Sequence, residues 1–395
     1  MTSAIDQIDF FYLAMPKIED RADGSQDALL ARVIAGDFLG WGECEASPLV
    51  SIAALVCPTS HRACKPVQDA ILGEKLDSLD DIERIVKNVR NNSLDLLQAE
   101  HTLSGIEIAL CDLLARKREI PVYRLLGYER SFPKIPYASA LFGQEPNETF
   151  KKAQAMISIG FRAAKFGWGP YGHGLPEQDA DQVQAAREGL GMDAILMIDA
   201  GTVWQEDVEK AAARIGSLES VGALWLEEPF VSGALNAYFS LAQRSKRVRL
   251  AGGEGAHQFH MARNMIDYGA VGFIQIDTGR IGGITTAKRV ADYAQSHGVT
   301  YVNHTFTSHL ALSASLQPYA GLCDHDICEF PIEATPLAVE LTTSRIEMDS
   351  NGCLSVPEAP GLGIQPDLKT LKRYLVEVEI RAGGHTLYKT PEVEI

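Results

Sequence analysis

The sequence predicts an α/β protein built around a closed, TIM-like (β/α)8 barrel, with an α+β domain at the N-terminus. The first observation is that short apolar segments alternate with longer amphipathic ones from about residue 135 to residue 330, as parallel strands alternate with crossover helices. The second is that eight such short segments suit one closed barrel, with a doubly wound open sheet as the alternative. The third is the length of 395 residues, which exceeds a barrel of about 250 residues and leaves material for another domain.

The barrel elements follow from local periodicity. The predicted strands are short, apolar and mostly rich in β-branched or aromatic residues, and they cover 135–141, 163–166, 195–199, 223–226, 248–251, 271–276, 300–302 and 326–330. The predicted helices carry apolar residues at helical spacing, and they cover 148–159, 178–189, 206–218, 256–268, 286–297 and 309–316.

The N-terminal region has a different order of elements. Strands are predicted at 5–13 and 28–34, joined by a polar loop at 20–26, and helices follow at 66–72, 79–97 and 102–117. A strand pair followed by helices is typical of an α+β domain. The segment after residue 336 contains strand-like pieces among Pro and Gly residues, and we expect it to pack back on the N-terminal domain. The predicted regions are 1–132 for the α+β domain, 133–336 for the catalytic barrel and 337–395 for the C-terminal segment.

The composition argues against some classes of binding partner. The formal net charge is −16, which argues against nucleic-acid or anionic-membrane surfaces because both require a basic face. No apolar run reaches the roughly 20 residues that span a bilayer, and the first residues, MTSAIDQIDF, do not resemble a signal peptide. The seven cysteines are odd in number and scattered, which indicates reduced thiols and a cytoplasmic location.

Single ionisable residues stand at the C-terminal ends of the predicted barrel strands, about one β/α unit apart. In chain order they are Lys165, Asp199, Glu227, Glu254, Asp277, His304 and Glu329. The C-terminal ends of barrel strands form the mouth in which active sites are built. We therefore expect these side chains to converge on one cavity.

Three of them are carboxylates from consecutive strands. Asp199, Glu227 and Glu254 would repel one another at one end of the barrel unless a cation compensates them. A hard divalent cation prefers oxygen ligands, and three carboxylates leave octahedral positions for water and substrate, so Mg²⁺ is expected. The alternative is that each acidic residue caps the following helix.

The next two predict a general base. Asp277 and His304 end neighbouring strands, and a carboxylate bonded to one imidazole nitrogen orients the ring and raises the basicity of the other. The alternative is a structural histidine. Lys165, pointing into the mouth, would contact a substrate carboxylate as a point charge.

The segments GFRAAKFG, LMIDAG, WLEEP, GGEGA, QIDTGRIGGIT, VNHTF and CEF together resemble the enolase superfamily, specifically its mandelate racemase-like branch, which contains many acid-sugar dehydratases. The resemblance makes the N-terminal region a capping domain, closed by a C-terminal segment containing PEAPGLGI. It implies that Asp199, Glu227 and Glu254 bind Mg²⁺ and that Asp277 and His304 form the base. It also implies that Glu329 contacts a substrate carboxylate oxygen, and that the protein forms a homo-oligomer.

Two departures from the family pattern bear on the reaction. The racemase carries Lys-x-Lys on the second strand; here Lys165 matches the first lysine and Gly167 stands in place of the second. The family also commonly has Asp-x-Asn after the third strand, where this chain has Asp199-Ala-Gly201. Racemisation needs a base on each face of the α-carbon, and this sequence supplies a candidate base, His304, for one face only. We therefore predict an Mg²⁺-dependent dehydratase, a hydro-lyase that abstracts the proton α to a carboxylate. It would eliminate water from a small acid sugar through an enediolate, giving a 2-keto-3-deoxy acid.

The general acid is open among His304, Tyr171, His173 and Lys165. By analogy with the family, the loop 20–26 and the segment 48–56 are expected to close over the mouth and select the substrate. The alternatives are a racemase or epimerase of a 2-hydroxy acid, an unrelated metal-dependent hydrolase or aldolase barrel, and a non-catalytic acid-sugar-binding paralogue.

Overall fold

A computed structural model describes residues 4–21, 23–45 and 47–393 of the chain. Its N-terminal part is an antiparallel three-stranded sheet in the order β1-β2-β3, formed by β1 (Gln7–Ala14), β2 (Asp27–Ala35) and β3 (Phe38–Cys44). The sequence predicted the first two strands and missed β3, because Gly40 and Gly42 weaken its strand pattern. Both glycines are required by packing. A Cβ atom at Gly42 would lie 2.0 Å from the carbonyl oxygen of Gly105, so the following helix lies directly on this strand.

Four helices complete this part of the chain: α1 (Pro48–Val56), α2 (Leu79–Asn92), α3 (Ala99–Lys117) and α4 (Val122–Leu125). The predicted helix at 66–72 is a 3-10 turn at Val67–Ala70, and α2 ends five residues before its predicted end. Helix α3 reaches the barrel through Glu107, whose buried carboxylate accepts the backbone N–H groups of Ile284 and Thr285 at 2.6 and 2.9 Å. A side chain of one domain thus supplies acceptors at the start of a helix in the other.

The predicted barrel is confirmed. Its eight parallel strands are β4 (Ile135–Leu141), β5 (Ala163–Gly167), β6 (Ile195–Asp199), β7 (Ala223–Glu227), β8 (Arg249–Gly252), β9 (Phe273–Asp277), β10 (Thr300–His304) and β11 (Ile327–Pro331). The surrounding helices are α5 (Pro146–Ser158), α6 (Pro176–Leu190), α7 (Val208–Ser220), α8 (Leu235–Ala242), α9 (Phe259–Gly269), α10 (Ile284–Ser296) and α11 (His309–Leu316). The sequence missed only the short helix α8.

Apolar side chains fill the inside of the barrel away from its mouth. Trp225 meets Tyr137 edge to face at 5.5 Å between ring centroids, and its centroid lies 4.8 Å from that of Phe273. All three rings are buried. The barrel interior is therefore a packed core, and its open end is left to polar groups.

The barrel is nearly closed. Parallel ladders run from β4 through β10 and join β11 to β4, but in the described residues no ladder joins β10 to β11. The side chain of Asn303 spans this seam instead: its Oδ1 accepts the backbone N–H of Glu329 at 2.9 Å and the hydroxyl of Tyr319 at 2.9 Å. One amide side chain thus replaces part of a strand ladder.

The C-terminal segment packs back on the N-terminal sheet, as predicted. The backbone N–H of Val376 donates to the carbonyl of Tyr12 at 2.8 Å, and the hydroxyl of Tyr388 donates to the carbonyl of Phe10. The segment contains α12 (Pro336–Glu340), α13 (Leu368–Tyr374) and the hairpin of β12 (Glu379–Ala382) and β13 (His385–Lys389). Among the described residues, no helix combines the length and the apolar character needed to cross a membrane.

Candidate active site

The structure brings the strand-end residues together at the mouth of the barrel. Asp199, Glu227, Asp277 and His304 are the last residues of their strands. The three others deviate slightly from the prediction, since Lys165 and Glu329 lie two residues before the ends of β5 and β11 and Glu254 lies two residues after β8. In register, Gly167 pairs with Asp199, Asp199 with Glu227, and His304 with Asp277.

Lys165 is buried among carboxylates. Its Nζ lies 2.5 Å from Oε1 of Glu227, 2.9 Å from Oε1 of Glu329 and 3.8 Å from Oδ2 of Asp199. Burial alone would lower the pKa of Lys165, but Glu227 and Glu329 raise it well above its usual value. The ammonium group is therefore held in its charged form.

The carboxylates influence one another strongly. Burial raises the pKa of Asp199 to about 6, with Lys165 lowering it and Glu254 raising it. Burial also raises the pKa of Glu227 well above its usual value. Glu254 behaves in the opposite way: its burial is outweighed by His304, Arg280 and Lys165, which lower its pKa to about 2. The protein's own cations thus offset part of the negative charge of the mouth.

The donor set matches Mg²⁺ in its chemistry. Asp199, Glu227 and Glu254 offer only oxygen atoms, and they come from three consecutive strand ends. Over the described residues, however, no three acidic, imidazole or thiol side chains lie close enough together to hold one ion. The reason is geometric, because Glu227 turns toward Lys165 and Glu254 toward Arg280 and His304.

The predicted base has the geometry of an oriented imidazole. Nδ1 of His304 lies 2.8 Å from Oδ2 of Asp277, while Oδ1 of Asp277 accepts the backbone N–H of Gly279 at 2.7 Å. The other ring nitrogen, Nε2, lies 3.2 Å from Oε2 of Glu254. Burial would lower the pKa of His304, but Glu254, Glu329 and the bond to Asp277 raise it to about 10.

Sequence reasoning missed an ion pair that joins the capping domain to the barrel. Nη2 of Arg280 lies 2.9 Å from Oε1 of Glu45, and its Nη1 lies 3.4 Å from Oε1 of Glu254. Arg280 could have been found, since it stands three residues after Asp277 in QIDTGRIGGIT. No sequence pattern indicated that Glu45 belongs to the site, because its position beside Arg280 depends on how the two domains pack.

These residues border a cavity of about 190 Å³ at the mouth. Its lining includes Asp23, Gly24, Glu45, Lys165, Asp199, Glu254, Arg280 and His304, with Trp168 and Phe306 as aromatic members. Glu227, Asp277 and Glu329 contact Lys165 or His304 rather than line the cavity. The predicted covering loop reaches the cavity through Asp23 and Gly24, with residue 22 outside the described residues, whereas α1 contributes no lining residue.

Two predicted site residues lie elsewhere. The ring of Tyr171 is buried against Phe142 at 5.1 Å between centroids, and burial raises the pKa of its hydroxyl. His173 is exposed and borders a different cavity with Gln144 and Glu145. Left-handed residues turn the loop after β5, among them Gly172 with φ of 83°, and neither side chain lines the mouth cavity. We therefore omit both from the proposed substrate-binding set.

Comparison with known proteins places the chain in a family. Residues 148–370 match the model described as Enolase C-terminal domain-like. The 3,6-anhydro-alpha-L-galactonate cycloisomerase of Streptomyces coelicolor is 31% identical over 70% of this chain and 73% of its own length. The D-galactarolactone cycloisomerase of Agrobacterium fabrum is 26% identical over 85% of this chain and 88% of its own. Further relatives carry the names of acid-sugar dehydratases and of a racemase, at 23 to 28% identity.

A solved structure agrees over the whole length. The crystal structure of a predicted mandelate racemase from Rhodobacter sphaeroides is 60% identical, covers 99% of this chain and 100% of its own, and superposes with a TM-score of 0.96. The chain therefore belongs to the enolase superfamily, with an Enolase C-terminal domain-like barrel beneath its capping domain.

Proposed function

We infer that this protein is an Mg²⁺-dependent acid-sugar dehydratase, which removes the proton α to a carboxylate and eliminates water to give a 2-keto-3-deoxy acid. The observation that carries this proposal is the asymmetry of the mouth. One imidazole, on His304, lines the cavity with its Nδ1 fixed by Asp277. The facing position on β5, where the racemase pattern has a second lysine, is Gly167.

His304 is the proposed base. Its bond to Asp277 keeps a proton on Nδ1, so that Nε2 can accept one from substrate carbon once the Glu254 carboxylate, now 3.2 Å away, turns from it and no longer raises the pKa of the imidazole. Asp277 is itself fixed by the N–H of Gly279. Asp277 and His304 are both buried, so the bond that orients the imidazole is shielded from water.

Gly167 argues against a second base. A Cβ atom there would lie 2.7 Å from Cβ of Asp199, so a larger side chain at this position would displace a proposed metal ligand. Lys165 does not replace it, because Glu227 and Glu329 hold its ammonium group charged. A base on one face favours elimination over racemisation or epimerisation.

Members of the superfamily generally use Mg²⁺, and Asp199, Glu227 and Glu254 are the residues proposed to hold it. When bound, the ion stabilises negative charge that develops on the substrate carboxylate. Lys165 and Glu329 are proposed to orient that carboxylate, Lys165 through its charge and Glu329 through the ammonium group it contacts. His304 is also proposed to donate the proton to the leaving hydroxyl.

A second candidate is a ring-opening elimination. It is favoured by two relatives that are named cycloisomerases, at 31% and 26% identity. The proton abstraction would be the same, but the leaving group would be a ring oxygen that stays attached to the product. A non-catalytic binder is disfavoured because it would not need the His304–Asp277 pair. The homo-oligomeric state and cytoplasmic location remain predictions.

The test is a screen of open-chain and cyclic sugar acids with Mg²⁺, followed by detection of 2-keto acids with semicarbazide. We expect keto-acid formation by the wild type, loss of turnover in His304→Asn, and full turnover in His173→Asn, a matched change at an exposed histidine. Full activity in His304→Asn would contradict the assigned base. If recovered substrate instead carries solvent deuterium with inversion at the α-carbon, the protein is a racemase or epimerase.

A further inference from the structure

Trp168 differs from the other three tryptophans of the chain. Its exposed fraction is 47%, against 5% for Trp41, 3% for Trp204 and 0% for Trp225. It also lines the mouth cavity. Its φ angle of 55° lies in the left-handed region, which bulky residues rarely adopt and which is found where the surrounding structure enforces it. A large apolar ring is therefore kept in contact with water beside the proposed chemistry.

Gly201 holds this ring in place. A Cβ atom at Gly201 would lie 2.7 Å from Cε2 and 2.9 Å from Cδ2 of Trp168, so the indole rests against the backbone of Gly201. Gly201 is also left-handed, with φ of 54°. The indole thus occupies the space that a side chain at 201 would need. Glycine in place of the family's Asn at position 201 therefore leaves the room in which the indole of Trp168 lies.

The cavity lining offers a ligand both charged and aromatic groups. Lys165, Arg280 and His304 are its cationic members, and Asp23, Glu45, Asp199 and Glu254 its acidic ones. Phe306 is a second aromatic member, and its ring stacks on that of His304 at 5.9 Å with 29° between the planes. At about 190 Å³ the cavity is smaller than the roughly 300–1,000 Å³ of drug-sized sites, which fits a single sugar unit.

We propose that Trp168 is a stacking platform that selects a ring-form sugar acid over an open-chain one. This inference rests on the second candidate under the proposed function, the ring-opening elimination, and names its substrate class. The negative face of the indole attracts the C–H face of a sugar ring, and aromatic contacts of this kind contribute affinity beyond the buried area. A ring is preorganised, whereas an open chain loses conformational freedom on binding and presents hydroxyl groups on every side.

The experiment measures binding rather than turnover. In a His304→Asn background with Mg²⁺ present, calorimetry compares D-galactarolactone with D-galactonate, a ring and an open chain that each carry one carboxylate. A second pair is methyl β-D-glucopyranosiduronate and D-gluconate. We expect at least one ring form to bind about tenfold more tightly than its open-chain partner, and its binding to shift tryptophan emission, because Trp168 is the exposed fluorophore.

The variants separate the platform from the fold. Trp168→Ala should abolish the ring preference and the emission shift, Trp168→Phe should keep most of the preference, and Gly201→Ala should weaken it by displacing the indole. Tyr268→Ala, which removes an exposed aromatic side chain of α9, should change neither. Equal affinity for both members of each pair, a preference that survives Trp168→Ala, or no binding of any of the four ligands would overturn the inference. Ring binding that needs Trp168 without keto-acid formation from any sugar acid would overturn the proposed function and leave the platform standing.

Discussion

Nε2 of His304 lies 3.2 Å from Oε2 of Glu254, so the free nitrogen of the proposed base touches a proposed metal ligand. The two roles are therefore linked, because a carboxylate that turns to a cation leaves this nitrogen available to substrate. Arg280 contacts the same carboxylate from the other side at 3.4 Å. Glu254 is the residue through which metal binding and proton abstraction would influence each other.

Replacing Glu254 with Gln should reduce Mg²⁺ affinity and turnover together, since the amide offers one neutral oxygen in place of a charged pair. Calorimetric titration with Mg²⁺ measures the first effect and the keto-acid assay the second. Glu209→Gln, a change at an exposed glutamate of α7, is the control. Unchanged Mg²⁺ affinity in Glu254→Gln would show that this residue is not a ligand.

Asp277→Asn should lower kcat by about 10²- to 10⁴-fold, because the imidazole of His304 loses the carboxylate that fixes its tautomer. KM should change much less, since Asp277 contacts His304 rather than the cavity. Steady-state kinetics measure the two separately. A rise in KM with kcat unchanged would mean that Asp277 acts in binding instead.

Gly167→Ala tests the crowding beside Asp199. The added Cβ would meet Cβ of Asp199 at 2.7 Å, so we expect weaker Mg²⁺ binding and slower turnover. Gly216→Ala is the matched control, because a Cβ there meets nothing within 4 Å on helix α7. If both variants bind Mg²⁺ as tightly as the wild type, the close approach of Gly167 to Asp199 does not affect metal binding.

Folding stability should fall as the pH drops from about 6.5 to about 4, in part because of His309. Burial, with a smaller contribution from Arg345, lowers its pKa to about 4, and its Nδ1 accepts the backbone N–H of Ile346 at 3.2 Å. The unfolded chain therefore binds a proton in this range that the folded chain does not. Urea unfolding of wild type and His309→Gln at pH 7 and pH 5 measures the difference. An equal loss of stability in both proteins would contradict this assignment.

The sequence could predict the barrel and its strand-end residues because chain order alone assigns each strand its place in a parallel barrel. It could not predict that Arg280 pairs with Glu45, since that contact depends on domain packing. Tyr171 and His173 were misplaced for a local reason: after Gly167, left-handed residues turn the loop, so nearness in sequence to Lys165 does not bring them to the mouth. Trp168 was not predicted as a site residue, because a single exposed aromatic residue in a loop produces no periodic pattern in the sequence.

The seam at Asn303 has a consequence for the spacing of the site. It separates the strand that ends in His304 from the strand that carries Glu329, and the bonds of one amide span it. Elsewhere around the barrel, moving neighbouring strands apart would break several backbone bonds at once. Here the separation of His304 from Glu329 depends on side-chain bonds, those of Asn303 and the bond from the backbone N–H of Thr305 to Oε2 of Glu329 at 2.9 Å. A substitution at position 303 would therefore alter the width of the mouth without breaking a strand ladder.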